Sequence, residues 1–300
     1  MRAYLPEYTA HRAGTLAEAL SCLAEPPHPQ LGAWQPLAGG TDLMVLLAAG
    51  KLPPGRYLDL WPLDELRGIA VTANHVELGA LTTYTQVREH PLLQAEFPML
   101  VQAAAESGAH AIQNRGTLGG NIANASPAAD SPPALLAYGA ELALVSAAGT
   151  RIVPYAEFHL GYKKMLLRPG ELIQRVRLPR LSEAERGKSV HFYRKVGTRR
   201  AQAISKVCMA ALAMPDGARL AVCRIAFGSV APIPLFCPRT AAALQDLTVP
   251  LPQQVAAAQA VLAAEIAPID DIRSTSGYRL RVAQNLIAQL GHICRAPSPP

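Results

Sequence analysis

The sequence predicts an α+β protein of two domains. Three hundred residues exceed what one hydrophobic core usually supports. Strand and helix patterns alternate through the first half, whereas three long strand patterns followed by helical patterns fill the second half, which is typical of an antiparallel sheet with helices. The apolar periodicity stops in the charged, turn-prone stretch PRLSEAERGKS, residues 179–189. We therefore predict a first domain at residues 1–180, a second domain at residues 188–295 and a tail at residues 296–300.

The elements of the first domain follow from local patterns. Thr15 and Glu18 have the spacing of a capping box, so GTLAEALSCLAE predicts an amphipathic helix. Thr82 or Thr83 caps another helix over Tyr84–His90. The other predicted elements are a strand at Trp34–Ala38, a helix at Leu43–Ala49, a strand at Arg56–Leu60, a hairpin turning at Asn74, a helix at Phe97–Ser107, a hairpin of Leu142–Val145 with Arg151–Val153, and a strand in LIQRVRL.

The second domain is predicted to contain three strands, in VHFYRKV, ISKVCMAALAM and RLAVCRIAFGSV. Asp216 and Gly217 form the turn between the last two strands, because an Asp-Gly pair favours a two-residue hairpin. Helical periodicity then covers Thr240–Leu247, Gln253–Ile266 and Tyr278–Gln289. This order of elements predicts a sheet with helices packed on it.

Composition excludes several classes of protein. Half of the residues are apolar, which is far too many for a disordered chain. No stretch reaches the roughly 18 to 20 apolar residues of a membrane span, and the first residues lack the apolar segment of a signal peptide, so we expect a cytoplasmic protein without a membrane span. The five cysteines are scattered, which is unlike a disulfide framework, a zinc site or an iron–sulfur cluster. We expect them to be reduced and mostly buried.

The net charge of +6 does not by itself indicate a nucleic-acid partner. Basic residues are spread along the chain, and the only dense cluster contains Arg194, Lys195, Arg199 and Arg200. Nucleic-acid binding favours a longer basic stripe with aromatic residues between the charges, and only 5% of the residues are aromatic. We therefore expect no nucleic acid. The cluster is either a solvated basic face or a contact for an acidic small molecule or protein.

Two glycine-rich turns indicate a binding site, AGGTD at Ala38–Asp42 and GTLGGN at Gly116–Asn121. Glycines let another group approach the backbone, and free amide N–H groups in such turns bind anions. The first turn also opens a helix, and Thr41 and Thr117 add hydroxyl donors. Two such turns facing each other can hold a diphosphate without a lysine, although either turn alone is also compatible with an ordinary loop.

Other phosphate-binding patterns do not occur in the sequence, neither G-x-x-x-x-G-K-[ST] nor G-x-G-x-x-G with an acidic residue beyond it. Asp130 follows SPAA, from where a carboxylate can reach ribose or adenine groups beside a diphosphate. Alternatively, Asp130 caps the helix that SPPALLAYG suggests. The eight histidines show no spacing typical of metal ligands.

Four motifs occur together and in order: LAGGTDL at 37–43, QNRGTLGGNIANASPAADS at 113–131, RPGELIQRVRLP at 168–179 and YRKVGTRRAQAISKVCMA at 193–210. Together they resemble the FAD-binding medium subunit of molybdenum hydroxylases, the family of the xanthine dehydrogenase and carbon monoxide dehydrogenase flavoproteins. The resemblance covers about residues 1–290. It implies an FAD-binding domain of two α/β subdomains of the PCMH type, at about 1–55 and 56–180, followed by a C-terminal flavoprotein domain of antiparallel sheet plus helices.

The resemblance also implies which residues bind FAD. Asp130 and Ser126 are expected at the ribose and adenine side, with Ala123 packing closely. Leu172 is expected near the isoalloxazine ring. Lys195 is expected at the edge of the ring, where a cation would stabilise the reduced, anionic form, although a solvated strand lysine is the alternative. The residues expected to cradle the diphosphate are Leu37, Ala38, Gly39, Gly40, Thr41, Asp42 and Leu43 in the first turn, and Thr117, Gly119, Gly120 and Asn121 in the second.

The same resemblance implies a function in electron transfer. A large molybdenum-cofactor subunit would oxidise the substrate, a small [2Fe-2S] subunit would pass the electrons to FAD on this chain, and NAD, oxygen or a quinone would accept them. No residue is assigned a catalytic role. Thr41 stands where some relatives have a histidine, which excludes covalent flavin attachment there, and residues 126–140 contain no cysteine for an additional cluster. Valine at Gly119 or Gly120 is expected to abolish flavin retention.

Two alternative functions stay open. The first is a stand-alone FAD-dependent reductase or oxidase of the same fold, resembling UDP-N-acetylenolpyruvoylglucosamine reductase, although the sequence shows no motif for the proton donor that such an enzyme needs. The second is a binding or scaffold subunit without flavin.

Overall fold

The computed structural model describes residues 7–199 and 203–295. These residues form a mixture of helices and sheets, which confirms the predicted α+β class. The predicted tail at residues 296–300 and Arg200 of the basic cluster lie outside the described residues.

The chain begins with a small parallel sheet whose strands are β1 (Tyr8–Arg12), β2 (Trp34–Leu37) and β3 (Gly55–Asp59). The order in the sheet is β1-β3-β2. Parallel strands need crossover connections, which here contain the helices α1 (Leu16–Ala24) and α2 (Leu43–Ala48). The hydroxyl of Thr15 caps α1 by accepting a hydrogen bond from the Glu18 amide at 3.1 Å, as predicted.

An antiparallel sheet of five strands follows. The strands of this region are β4 (Ile69–Val71), β5 (His75–Gly79), β6 (Glu141–Ser146), β7 (Gly149–Pro154), β8 (His159–Gly161), β9 (Lys164–Met165) and β10 (Leu172–Pro179). The sheet has the order β4-β5-β10-β6-β7, and β8 pairs with β9 in a separate small hairpin. The helices are α3 (Tyr84–Glu89), α4 (Pro91–Glu96), α5 (Pro98–Glu106), α6 (His110–Gln113), α7 (Leu118–Ala123) and α8 (Ser131–Tyr138).

The last part of the chain is an antiparallel sheet covered by helices. The elements are α9 (Glu183–Arg186), β11 (Val190–Val196), β12 (Val207–Asp216), β13 (Arg219–Gly228), β14 (Leu235–Phe236), α10 (Pro238–Ala243), α11 (Leu251–Glu265) and α12 (Ser276–Ile293). The strands lie in the order β11-β12-β13-β14. Apolar side chains of this sheet and of α10 to α12 form their own buried core.

Helix α8 connects the two larger sheets. Every residue of α8 is buried, which is expected of a helix that is apolar on all sides. The helix contacts β12 and β13 on one side and α5 and β10 on another. The guanidinium of Arg224 on β13 donates to the carbonyl oxygens of Leu136 and Ala137 at 3.0 and 2.9 Å, so it satisfies carbonyl groups at the helix end.

The described residues contain no helix that is long and apolar enough to cross a membrane. Within the same ranges, no group of three or more His, Cys, Asp or Glu side chains could hold a metal ion. All five cysteines are free in the structure, and all except Cys223 are buried, which confirms the expectation that they are mostly buried.

Candidate functional site

The first glycine turn, Ala38–Asp42, connects β2 to α2 and is partly exposed. Gly40 has a φ of +76°, a left-handed conformation that favours glycine. Its carbonyl accepts a hydrogen bond from the Met44 amide at 2.8 Å, which starts the helix. The amides of residues 39–41 donate no hydrogen bond to any other residue that the structure describes. This turn therefore has the free donors that the sequence predicts for it.

The second glycine turn, residues 116–121, differs from the prediction because most of it belongs to helix α7. The amide of Leu118 donates to the Thr82 carbonyl at 3.0 Å, and the amide of Gly119 donates to the Ala80 carbonyl at 2.8 Å. The amides of residues 120–121 donate to the hydroxyl and the carbonyl of Thr117, at 3.1 and 2.9 Å. The prediction of free amide donors is therefore wrong for residues 118–121. There are two reasons: the carbonyl groups of Thr82 and Ala80 take the amides of residues 118 and 119, and Thr117, the N-cap of α7, takes those of residues 120 and 121.

The two turns nevertheless lie against each other, as the sequence predicts for a shared site. A Cβ atom on Gly39 would overlap the carbonyl oxygen of Arg115, and a Cβ atom on Gly120 would lie 3.8 Å from the Cβ of Ala38. The Asn124 side-chain amide also donates to the Asp42 carboxylate at 3.3 Å. Only glycine at position 39 allows this contact between the two backbones.

Gly119 has a different reason to be glycine than the one expected from the sequence. A Cβ atom there would lie 2.7 Å from the Cβ of Ala80 and 2.8 Å from its carbonyl oxygen, so the residue faces the end of β5 rather than the other turn. Gly120 instead faces the first turn, and its Cβ would lie 2.8 Å from the rotatable hydroxyl of Thr117.

We expect Gly119→Ala to destabilise the flavin-free protein by about 1–3 kcal/mol, because the added methyl group meets backbone that cannot move freely. Gly120→Ala is the matched control and should cost less, since it meets only the side-chain oxygen of Thr117, which can rotate away at the expense of its capping hydrogen bond. Urea unfolding of the flavin-free variants measures both effects. An unchanged free energy of unfolding for Gly119→Ala, together with lost flavin, would restore the original expectation that the diphosphate lies on Gly119.

Asp130 and Lys195 form a buried ion pair between α8 and β11. The Lys195 Nζ lies 2.7 Å from an Asp130 carboxylate oxygen, and the two side chains are 3% and 13% exposed, Lys195 being the less exposed. The Ser205 hydroxyl donates to the same carboxylate at 2.6 Å, and Lys195 also donates to the Glu106 carbonyl at 2.9 Å. Burial raises the pKa of Asp130, while the ammonium of Lys195 opposes this increase.

This pairing corrects two expectations. Asp130 occupies the N-cap position of α8, but its side chain accepts no capping hydrogen bond, so the capping alternative is wrong. The resemblance also places Asp130 at the ribose and adenine side of FAD and Lys195 at the edge of the isoalloxazine ring. Both side chains cannot take these positions while their charged atoms are in contact. Lys195 is not the solvated strand lysine of the alternative interpretation either. Ser205 completes the cluster, and its sequence context contains no signal for this role.

The other predicted site residues lie in different surroundings. Leu172 is buried in the core of the small parallel sheet, against which Ala38 of the first turn also packs. Ala123 is exposed at the end of α7. The Ser126 hydroxyl accepts a hydrogen bond from the Ala128 amide at 3.3 Å. Ala38 and Leu172 thus share one core, whereas Asp130 and Lys195 lie at the joint with the last sheet.

Comparison with known proteins gives consistent matches over nearly the whole chain. Residues 6–181 match the family model of the FAD binding domain in molybdopterin dehydrogenase, and residues 192–291 match that of the CO dehydrogenase flavoprotein C-terminal domain. The chain is 34% identical over 277 residues to the xanthine dehydrogenase FAD-binding subunit of Escherichia coli O157:H7, with 92% of each chain covered.

Two further matches extend this similarity. The chain is 28% identical over 283 residues to the carbon monoxide dehydrogenase medium chain of Hydrogenophaga pseudoflava, covering 94% of this chain and 95% of that one. The solved structure of quinoline 2-oxidoreductase from Pseudomonas putida contains a chain that matches with a TM-score of 0.84 at 26% identity, with 98% of both chains covered.

Proposed function

The chain belongs to the family of FAD-binding medium subunits of molybdenum hydroxylases, and from this membership we propose that it transfers electrons within a larger complex. Its cofactor is FAD, and it is an oxidoreductase subunit. We propose that the electrons come from the [2Fe-2S] centres of a small subunit, which receives them from a large molybdenum-cofactor subunit. An external acceptor, NAD, oxygen or a quinone, takes them from this chain.

The contact between the two glycine turns is the observation that carries this proposal. The free amides of residues 39–41 fit a negatively charged diphosphate, and the hydroxyl of Thr41 can add a further donor. The second turn offers few free donors, so its role is to bring a bare surface at Gly120 against the first turn. The residues proposed to hold the diphosphate stay those of both turns, Leu37 to Leu43 and Thr117 to Asn121.

The remaining assignments are proposals of the same kind. We place Leu172 near the flavin ring, and Ser126 and Ala123 beside the nucleotide. Asp130 and Lys195 can contact FAD only through atoms that their ion pair leaves exposed, or after the ion pair has broken. The division into an FAD-binding domain at 1–180 and a C-terminal domain at 188–295 is part of the proposal. The free cysteines are compatible with a reducing compartment, and we place the complex in the cytoplasm.

Bound FAD supplies one-electron and two-electron chemistry, and the protein supplies binding, orientation and electrostatics. The residues of this chain therefore need to hold the cofactor and expose it to partners, and electron transfer requires no general base from them. This separates the proposal from the stand-alone reductase or oxidase, which needs a proton donor of its own.

Purification of the chain from its native source tests the proposal. We expect an absorbance spectrum of oxidised flavin, two copurifying subunits, and molybdenum and iron in the same fraction. A flavin-containing monomer that reduces a substrate without partners would instead support the stand-alone enzyme. A purified chain that neither contains nor takes up FAD would support the scaffold.

A further inference from the structure

We propose that the guanidinium of Arg115 binds the diphosphate of FAD and that the indole of Trp61 positions it there. The inference rests on the proposed function and deepens it, because it names a cationic side chain and its positioning residue at a site whose other proposed donors are backbone amides and the Thr41 hydroxyl.

Arg115 lies where the two glycine turns meet. Its own carbonyl oxygen is the atom that a Cβ on Gly39 would overlap, and its Nε donates to the Gly39 carbonyl at 3.4 Å. The residue directly precedes the second turn and is exposed. Its side chain therefore reaches from the start of the second turn to the first turn at the protein surface.

Trp61 holds this side chain in place. The Cζ of Arg115 lies 3.7 Å from the centroid of the indole, a typical cation–π contact. The Trp61 amide donates to the Asp59 carboxylate at 3.0 Å, which fixes the start of the loop after β3. Arg67 also lies over the indole, at 4.5 Å, and donates to the Trp61 carbonyl. A stacked guanidinium loses less conformational freedom on binding an anion than a freely rotating one.

The charges around Trp61 distinguish the two arginines. Arg67 has a carboxylate within reach, since its Nε lies 3.9 Å from Asp64. In the described ranges, no carboxylate lies within 4.0 Å of the Arg115 guanidinium. The neighbouring amides of residues 39–41 are also free donors. Arg115 and these amides together form a positively polarised surface whose missing partner is an anion.

The chemistry of a diphosphate matches this arrangement. A guanidinium presents a planar fork of donors that suits two phosphate oxygens, whereas the only charged side chain within the two glycine turns is the Asp42 carboxylate, which accepts from the Asn124 side-chain amide at 3.3 Å. Because the amides of residues 118–121 are used within the chain, the second turn supplies few donors of its own. Arg115 is the group that gives this turn a direct attraction for the diphosphate.

Titration of the flavin-free full chain with FAD tests the inference. We expect Arg115→Gln to weaken FAD binding roughly 10- to 100-fold, because it removes hydrogen bonds between charged groups. Arg115→Lys, which keeps the charge but not the planar fork, should restore part of the affinity. The FAD affinity of the wild type should also fall more steeply with added KCl than that of Arg115→Gln. Salt screens the attraction between the Arg115 guanidinium and the diphosphate, which only the wild type has.

Arg67→Gln is the matched control, because it makes the same change of charge at the same indole and should leave FAD affinity near that of the wild type. Trp61→Ala should weaken FAD binding in the wild type but add little in the Arg115→Gln background. Thermal unfolding without FAD detects a variant that is merely less stable.

The outcomes separate the two proposals. A wild type that does not bind FAD contradicts the proposed function itself. If the wild type binds FAD and Arg115→Gln binds equally well, the inference is overturned. It is also overturned if Arg115→Lys is as weak as Arg115→Gln, or if the weaker binding follows a matching loss of thermal stability in the flavin-free protein.

Discussion

Gly39→Ala is expected to give a protein that retains no FAD through purification and unfolds at a lower temperature than the wild type. The added methyl group would overlap the backbone carbonyl oxygen of Arg115, the residue directly before the other turn. One of the two turns must therefore move, and overpacking of this kind typically costs about 1–3 kcal/mol in stability. FAD is lost as well, because the free amides of residues 39–41 then no longer face Arg115 and Gly120.

Gly277→Ala provides the control for this experiment. Gly277 lies in α12, has no positive φ, and has no neighbouring atom within 4 Å of the position that a Cβ would take. Alanine favours a helix over glycine by up to about 1 kcal/mol, so this variant should be as stable as the wild type or slightly more stable. Flavin absorbance relative to protein, together with thermal unfolding, compares the two variants. Full FAD content in Gly39→Ala would show that the contact between the turns is not needed for binding.

Local sequence patterns predict the elements whose signals are local. Thr83 caps α3 with a complete capping box, as predicted. The predicted hairpin of β12 and β13 is also present, but its two turn residues are Gly217 and Ala218, because Asp216 still pairs with Arg219 at the end of the two strands. Strand β1 gives no such signal, because four of its five residues are exposed and its pairing to β3 depends on backbone hydrogen bonds between distant segments. Helix α7 is also missed. Its two glycines disfavour a helix by intrinsic propensity, and the packing of Gly119 on Ala80 compensates for this.

The site was predictable only where its features have local sequence signals. The left-handed Gly40 and the small residues of both turns follow from residue types, and the order of the four motifs indicates that the turns cooperate. The use of the amides of residues 118 and 119 could not be predicted, because they donate to the carbonyl groups of Thr82 and Ala80, just after β5 and far away in the chain. The pairing of Asp130 with Lys195, 65 residues apart, likewise leaves no periodic pattern in the sequence.

Breaking the ion pair between Asp130 and Lys195 is expected to have the largest effect on stability. Lys195→Met would leave a carboxylate in a site where the Asp130 side chain is 13% exposed, and Asp130→Asn would leave an ammonium that is 3% exposed. Removing one partner of a buried pair typically costs about 3–5 kcal/mol, because the remaining charge is not compensated. Urea unfolding of the flavin-free protein measures the free energy of each variant.

The double variant Asp130→Asn with Lys195→Met should recover most of the loss. Burial raises the pKa of Asp130, so the carboxylate is less favourable in the folded protein than in the unfolded chain despite its partner. With a raised folded pKa, the stability linked to this carboxyl is greatest at low pH and decreases as the pH rises through the folded pKa. A buried pair of this kind can therefore be replaced by uncharged side chains at little cost, whereas a single replacement cannot.

An exposed pair provides the control, and the comparison decides what Lys195 does. Arg12 lies 3.0 Å from Asp59 but is 76% exposed, so Arg12→Gln should cost no more than about 1 kcal/mol. If Lys195→Met is as mild as Arg12→Gln, Lys195 is not held by Asp130 in solution, and its ammonium is available to the flavin edge. If Lys195→Met is severe and the double variant recovers both stability and FAD binding, the ammonium serves the joint between α8 and β11. Lys195 then affects FAD binding only indirectly, because it holds the last sheet against helix α8.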